Sequence, residues 1–196
     1  MLDQDLEIHP LTAERWKDLE SLFGPHGAYS DCWCMFWRVR RADFSRMKAD
    51  ERKAALQEMT ARNPAPGLLA YAAGQPAGWV SLGPRNDFDA LAYSRILPRL
   101  DDAPVWSIVC FFIAKPYRRK GLLVRLIRGA VQYAGEHGAT TVEAYPTDMQ
   151  SHRLTGMRLT GYSGYMGIAS AFRAAGFVPV KQASETQLIM RYKMEG

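Results

Sequence analysis

Four consecutive residues, Arg118-Arg119-Lys120-Gly121, follow an almost wholly apolar run and precede an amphipathic one that opens at Leu122. The order of apolar strand, basic turn, single glycine and helix gathers unpaired first-turn N–H groups, a partial positive charge and three cations in one place. A diphosphate satisfies several such donors at once, provided the backbone can approach it closely. Glycine at 121 removes the side chain from the point of closest approach. The chemistry implied is binding of a phosphate-bearing ligand. A glycine-capped helix beside a solvated basic turn would have the same local sequence, so the turn alone leaves both readings open.

The elements on either side must position this turn. Residues 106–113 read as a central strand buried on both faces, because the run is nearly continuous in apolar side chains. Beyond the turn, Leu122, Leu123, Leu126, Ile127, Ala130, Val131 and Ala134 recur at helical spacing, with Arg125, Arg128, Gln132 and Glu136 on the other side. That pattern predicts a helix with one face on a sheet, stopped at Gly138. Residues 140–145 follow as a second buried strand, parallel to the first by the usual crossover rule.

Upstream, residues 6–8 predict a short strand, and residues 13–23 a helix burying Trp16, Leu19, Leu22 and Phe23. A second helix is expected over 49–62, ended by Asn63-Pro64, and a hairpin joins 67–71 to 79–82. The chain closes with a helix over 168–175 and strands over 178–182 and 187–192. The fold class is α/β (α+β), a mixed sheet with helices on both faces. One domain spanning 1–196 is expected, with an insertion at about 84–104 holding a short helix near Leu91, and a variable loop at about 146–167.

Composition narrows the function. A chain of 196 residues with 47% hydrophobic and 23% charged residues suits a single globular domain. No apolar run reaches the roughly 18 residues that span a bilayer, and the first residues lack the pattern of a signal peptide. A cytoplasmic protein with no membrane partner is therefore expected. Three cysteines in a chain of this length are not a disulfide framework. Cys32 and Cys34 find no second Cys/His pair to complete a zinc site, so buried free thiols and no metal are expected. The net charge of +5 is spread along the chain, without a nucleic-acid motif. It suits an anionic cofactor rather than nucleic acid. A homodimer is left open.

The stretch from Ile113 to Leu123 resembles the acyl-CoA-binding segment of the GNAT superfamily of N-acetyltransferases. That family's pattern is Arg/Gln-x-x-Gly-x-Gly/Ala directly after a strand. Here Arg118-Arg119-Lys120-Gly121-Leu122-Leu123 follows it, with Leu123 where Gly or Ala is usual. Residues 170–177, ending in Gly176-Phe177, resemble the family's later helix, and residues 141–145 the strand that splays from its neighbour. Residues 32–38, Cys-Trp-Cys-Met-Phe-Trp-Arg, resemble a segment of one bacterial subgroup.

The resemblance implies a mostly antiparallel sheet of about six to seven strands with a central splayed parallel pair. It implies acetyl-CoA as co-substrate and transfer of its acetyl group to the amine of a small molecule or peptide, by direct attack in a ternary complex. Cofactor contacts are expected at Phe111, Phe112, Ile113, Arg118, Arg119, Lys120, Gly121, Leu122 and Leu123. The alternative is a catalytically weak CoA-binding sensor or interaction module.

Acetyl transfer to an amine calls for a neutral amine and a polarised carbonyl. With no carboxylate on the 106–113 strand, Glu143 on the next strand is the first candidate for general base, Asp148 the second, and His152 shares Asp148's loop. Backbone N–H groups near Phe111 to Ile113 would meet the oxyanion. Where the family often places an acidic tyrosine, four residues before the glycine of Gly-Phe, this chain has Phe172. Tyr165 or Tyr162 would substitute, or no acid is needed, because a thiol leaves readily. Cys110, inside an apolar strand, reads as core packing rather than as an acyl carrier. Trp33, Phe36 and Trp37 either line the acceptor pocket or form a buried helix contact.

Overall fold

The computed structural model describes residues 6–154, 156 and 164–194. Seven strands form one sheet: β1 (Leu6–Pro10), β2 (Gly67–Ala72), β3 (Gln75–Pro84), β4 (Trp106–Ile113), β5 (Thr141–Ala144), β6 (Val178–Ser184) and β7 (Gln187–Lys193). Their spatial order is β1-β2-β3-β4-β5-β7-β6. All neighbours pair antiparallel except β4 and β5. The helices are α1 (Trp16–Phe23), α2 (Arg41–Arg46), α3 (Ala49–Met59), α4 (Asp89–Ala92), α5 (Leu122–Glu136) and α6 (Ala169–Ala174). The sequence pattern did not predict α2. Its six residues bury none of their side chains, so no apolar period marks it.

Helix α5 crosses from β4 to β5 and buries Leu122, Leu126, Ile127, Ala130 and Ala134. These join Val80, Ile108, Phe111 and Val142 in the core on that face of the sheet. Each leucine so placed contributes about 1.5–3 kcal/mol by leaving water. On the opposite face Trp79, fully buried, packs with Leu19, Phe23, Trp33, Cys34 and Leu56. The insertion covers the rest of that face, setting Phe88, Leu91 and Leu97 against Val109, Tyr145 and Ile189.

A β-bulge in β4 positions the site. Ser81 pairs with Cys110 and Leu82 with Ile108, leaving Val109 without an opposite number on β3. Side chains alternate along a strand, and an extra residue reverses the alternation beyond it. Trp106 and Ile108 therefore face α5, Val109 and Cys110 both face away from it, and Phe111 rejoins the α5 side.

Candidate active site

The parallel pairing of β4 with β5 is short, running only from Trp106–Val142 to Ile108–Ala144. Beyond it the two strands part, and the far half of β4 offers its main chain to the gap. The N–H of Ala114 bonds to Ala77 O on the β3 side, at 3.0 Å. By alternation Phe112 also turns its main chain to β3, whereas Phe111 and Ile113 turn theirs to the gap. Of the three β4 residues among those expected at the cofactor, Phe111 and Ile113 thus present backbone there and Phe112 does not. The Phe111 N–H donates to Tyr165 O at 2.6 Å, and Ile113 O accepts from Arg118 Nε at 2.8 Å. The segment 164–168 meets the gap from its other wall, where Thr147 N–H donates to Gly167 O at 3.0 Å.

At the open end lies the basic turn. Arg118, Arg119, Lys120 and Gly121 are all exposed. Arg119 (φ 60°) and Gly121 (φ 82°) are both left-handed, a conformation easy for glycine and costly for most residues. An added Cβ at Gly121 would meet no atom within 4 Å, so the surface above it is free for a ligand. The first backbone bonds of α5 run from Val124 and Arg125 to Gly121 O, and the amides of Leu122 and Leu123 precede them. Leu123 joins this cradle through its amide, while its side chain packs against the core on the α5 face. Unpaired amides, cations and an unobstructed glycine together fit a pyrophosphate.

On the other face of β4 lies a cavity of about 190 Å³. Its wall carries the rings of Tyr29, Phe36, Trp37, Phe44, Phe112 and Tyr165, and its other lining includes Phe111 and the three cysteines. Arg38 is buried and fixes the segment that supplies Phe36 and Trp37. Its Nη2 donates to Pro66 O at 2.5 Å and to Ser81 Oγ and Leu82 O at 3.3 Å each. Burial lowers its pKa to about 10. Trp33 lies elsewhere, stacked on Trp16 with ring centroids 5.9 Å apart and only 5% exposed. The three expected acceptor-site rings therefore divide: Phe36 and Trp37 line the cavity, and Trp33 is core.

The cysteines are free, and their convergence is long-range, which no local spacing signals. Cys34 Sγ accepts from Trp79 Nε1 at 3.1 Å and lies 3.9 Å from Cys110 Sγ. The Cys110 hydrogen bond, reinforced by Trp79 against burial, lowers the Cys34 pKa. The same bond, with burial, raises that of Cys110 well above the ordinary thiol value. Burial pushes Cys32 to about 11. Cys110 is half-buried and lines the cavity, where core packing alone was expected. The bulge accounts for the difference, because it turns Cys110 to the cavity side.

Glu143 does not face this cavity. It is 1% exposed, and its two oxygens are held by Arg85 Nη1 at 3.0 Å and Arg191 Nε at 2.8 Å. The Tyr145 hydroxyl donates to the same Oε1 at 2.8 Å and meets Ser107 Oγ at 2.8 Å. Arg191 also reaches Asp101 at 2.5 Å. This is a buried ionic clasp joining the insertion to β5 and β7, and it corrects the expectation of a base at Glu143. Asp148 and His152 share a separate surface groove with Arg153 and Glu185. No carboxylate lines the cavity among the described residues. Tyr165 does line it, and burial first, then the Cys110 sulfur, raises the phenol's pKa. Tyr162 lies outside the described residues.

Fold and site together define a protein of the acetyltransferase class. The chain belongs to the acetyltransferase (GNAT) family, whose model matches residues 33–161. Solved structures share its fold. YncA from Salmonella typhimurium, determined with its cofactor acetyl-CoA, is 14% identical, with 98% of this chain and 95% of that one covered at a TM-score of 0.54. PaiA N-acetyltransferase from Thermoplasma acidophilum, in complex with coenzyme A, is 13% identical, with 97% and 100% covered at 0.52. Ribosomal-protein-alanine N-acetyltransferase from Brucella melitensis is 15% identical, with 96% and 99% covered at 0.53. Comparison with curated proteins finds no significant match. Among the described residues no helix is long and apolar enough to cross a membrane.

Proposed function

We propose that this protein is an acetyl-CoA-dependent N-acetyltransferase that moves an acetyl group to the amine of a small molecule or peptide by direct attack in a ternary complex. One observation carries the reading: a cradle and gap on one side of β4 and an apolar cavity on the other meet at Phe111. Acetyl-CoA, when bound, supplies the acetyl group as a thioester. Gly121 and the amides of Leu122 and Leu123 would hold its pyrophosphate, with Arg119 and Lys120 adding charge. With the Phe111 N–H already given to Tyr165 O and Ile113 O already accepting from Arg118, the Phe111 carbonyl and the Ile113 N–H would pair with its amide-bearing arm, as an added strand would. Arg118, already bonded to Ile113 O, orients that edge.

Tyr165 is suited to holding a proton at the cavity wall, because its raised pKa keeps the phenol protonated near neutrality. Cys110, with its thiol pKa raised, is poorly suited to carrying an acyl group, which favours direct transfer. The missing cavity carboxylate keeps a second reading open, a catalytically weak CoA-binding sensor. Release of CoA thiol, followed with and without a panel of amines, separates the two. Amine-dependent release with an acetylated product supports transfer, and binding without product supports the sensor.

A further inference from the structure

The chemistry of the cavity wall says more about the acceptor than the family does. Seven aromatic residues and three cysteines line it, and among the described residues no Asp or Glu does. The charges in contact with its rings are guanidiniums. Arg41 sits over Phe36 at 4.8 Å from the ring centroid and Arg52 over Phe44 at 4.0 Å. Arg52 is held there by bonds to Asp31 O at 3.3 Å and Phe44 O at 2.8 Å. One face of each of these two rings is thus taken by a guanidinium that does not itself line the cavity.

An ammonium entering this space would lose water, gain no carboxylate and meet positive charge behind the wall. All three effects disfavour the charged form of an amine and lower its pKa. A ligand with several ammonium groups pays this penalty at each one it buries. A single amine on an aromatic or apolar body pays it once, and the rings offset it by contact. We infer that the acceptor is a small primary amine carried on an aromatic or apolar body, without a second cationic centre, and bound as the free base. This inference rests on the N-acetyltransferase reading above. It also supplies what that reading lacks: an acceptor that enters neutral needs no base to deprotonate it before attack, and the proton its nitrogen sheds on acylation leaves with the CoA thiol.

The test compares 2-phenylethylamine with spermidine and kanamycin as acceptors at saturating acetyl-CoA, with acetyl-CoA binding measured in parallel. The expected result is a kcat/KM at least about tenfold higher for 2-phenylethylamine. Below the amine's own pKa, that kcat/KM should climb about tenfold per pH unit, because only the free base binds productively. Trp37→Ala should raise the KM for 2-phenylethylamine about tenfold and leave acetyl-CoA binding unchanged. Phe36→Leu, which keeps the wall closed, should shift KM the same way if Trp37→Ala does not fold. Preference for spermidine or kanamycin would overturn the inference while leaving acetyl transfer standing. Binding of acetyl-CoA with no amine acetylated would instead overturn the transfer reading, and the inference with it.

Discussion

The amide hydrogen of Phe111 is donated to the carbonyl oxygen of Tyr165, at 2.6 Å across the mouth of the gap between β4 and β5. The bond is made by Tyr165's backbone, so its side chain is left to line the cavity beside Cys110 and Phe112. Backbone and side chain of this residue can therefore be tested separately.

Tyr165→Phe keeps the backbone bond and removes only the hydroxyl. If the phenol donates a proton in transfer, kcat falls by about 10²-fold, within the usual range for a lost acid, while the KM for acetyl-CoA stays unchanged. That role requires the protonated phenol, whose pKa burial raises above the ordinary value near 10. The alkaline limb of the wild-type kcat profile should thus begin above pH 10 and vanish in the variant. Steady-state kinetics across pH read both effects, and a Tyr165→Phe enzyme with wild-type kcat and an unchanged limb would dismiss the role.

Glu143→Gln tests the ionic clasp. The carboxylate lies between Arg85 and Arg191, and its removal leaves the buried Arg85 guanidinium without its counter-charge. Urea unfolding should show a loss of about 3–5 kcal/mol, the usual cost of breaking a buried pair from one side. The kcat of the folded fraction should stay within a few-fold of wild type. A large fall in kcat at unchanged stability would restore Glu143 as a base.

The thiols separate direct transfer from an acyl-thiol route. Cys110→Ala should retain kcat within a few-fold, because the Cys34 contact and burial raise its thiol pKa well above the ordinary value and keep it protonated. Cys34→Ala leaves the buried Trp79 Nε1–H without its acceptor and should cost about 1–3 kcal/mol in stability. Mass spectrometry after incubation with acetyl-CoA should find no acetyl group on either cysteine. Stoichiometric acetylation that an added amine then discharges would contradict direct transfer.

Much of the frame was legible because it is local. The bounds of β4 follow from an unbroken apolar run, and those of α5 from a helical stripe with glycine at its start. The basic turn was readable for the same reason, since four adjacent residues carry it. The missed features depend on pairing. The bulge at Val109 is set by register against Ser81 and Leu82, and it alone brings Cys110 to the cavity wall. Glu143 on β5 looked available until Arg85, 58 residues away in sequence, was seen to hold it. Trp33 and Trp37 are both tryptophans in one short segment, and only the packing of Trp16 against Trp33 tells core from cavity.

The central claim is that acetyl-CoA binds at the turn before α5, and calorimetric titration of the wild type and Gly121→Glu tests it most directly. A Cβ added at Gly121 meets no atom within 4 Å, so the substitution starts in open space. It does bring left-handed strain of about 1–2 kcal/mol and a negative charge where the pyrophosphate would lie. The wild type should bind one equivalent saturably, and the variant should bind at least about tenfold more weakly. Absence of wild-type binding at high micromolar acetyl-CoA, or equal affinity in the two proteins, would contradict the account.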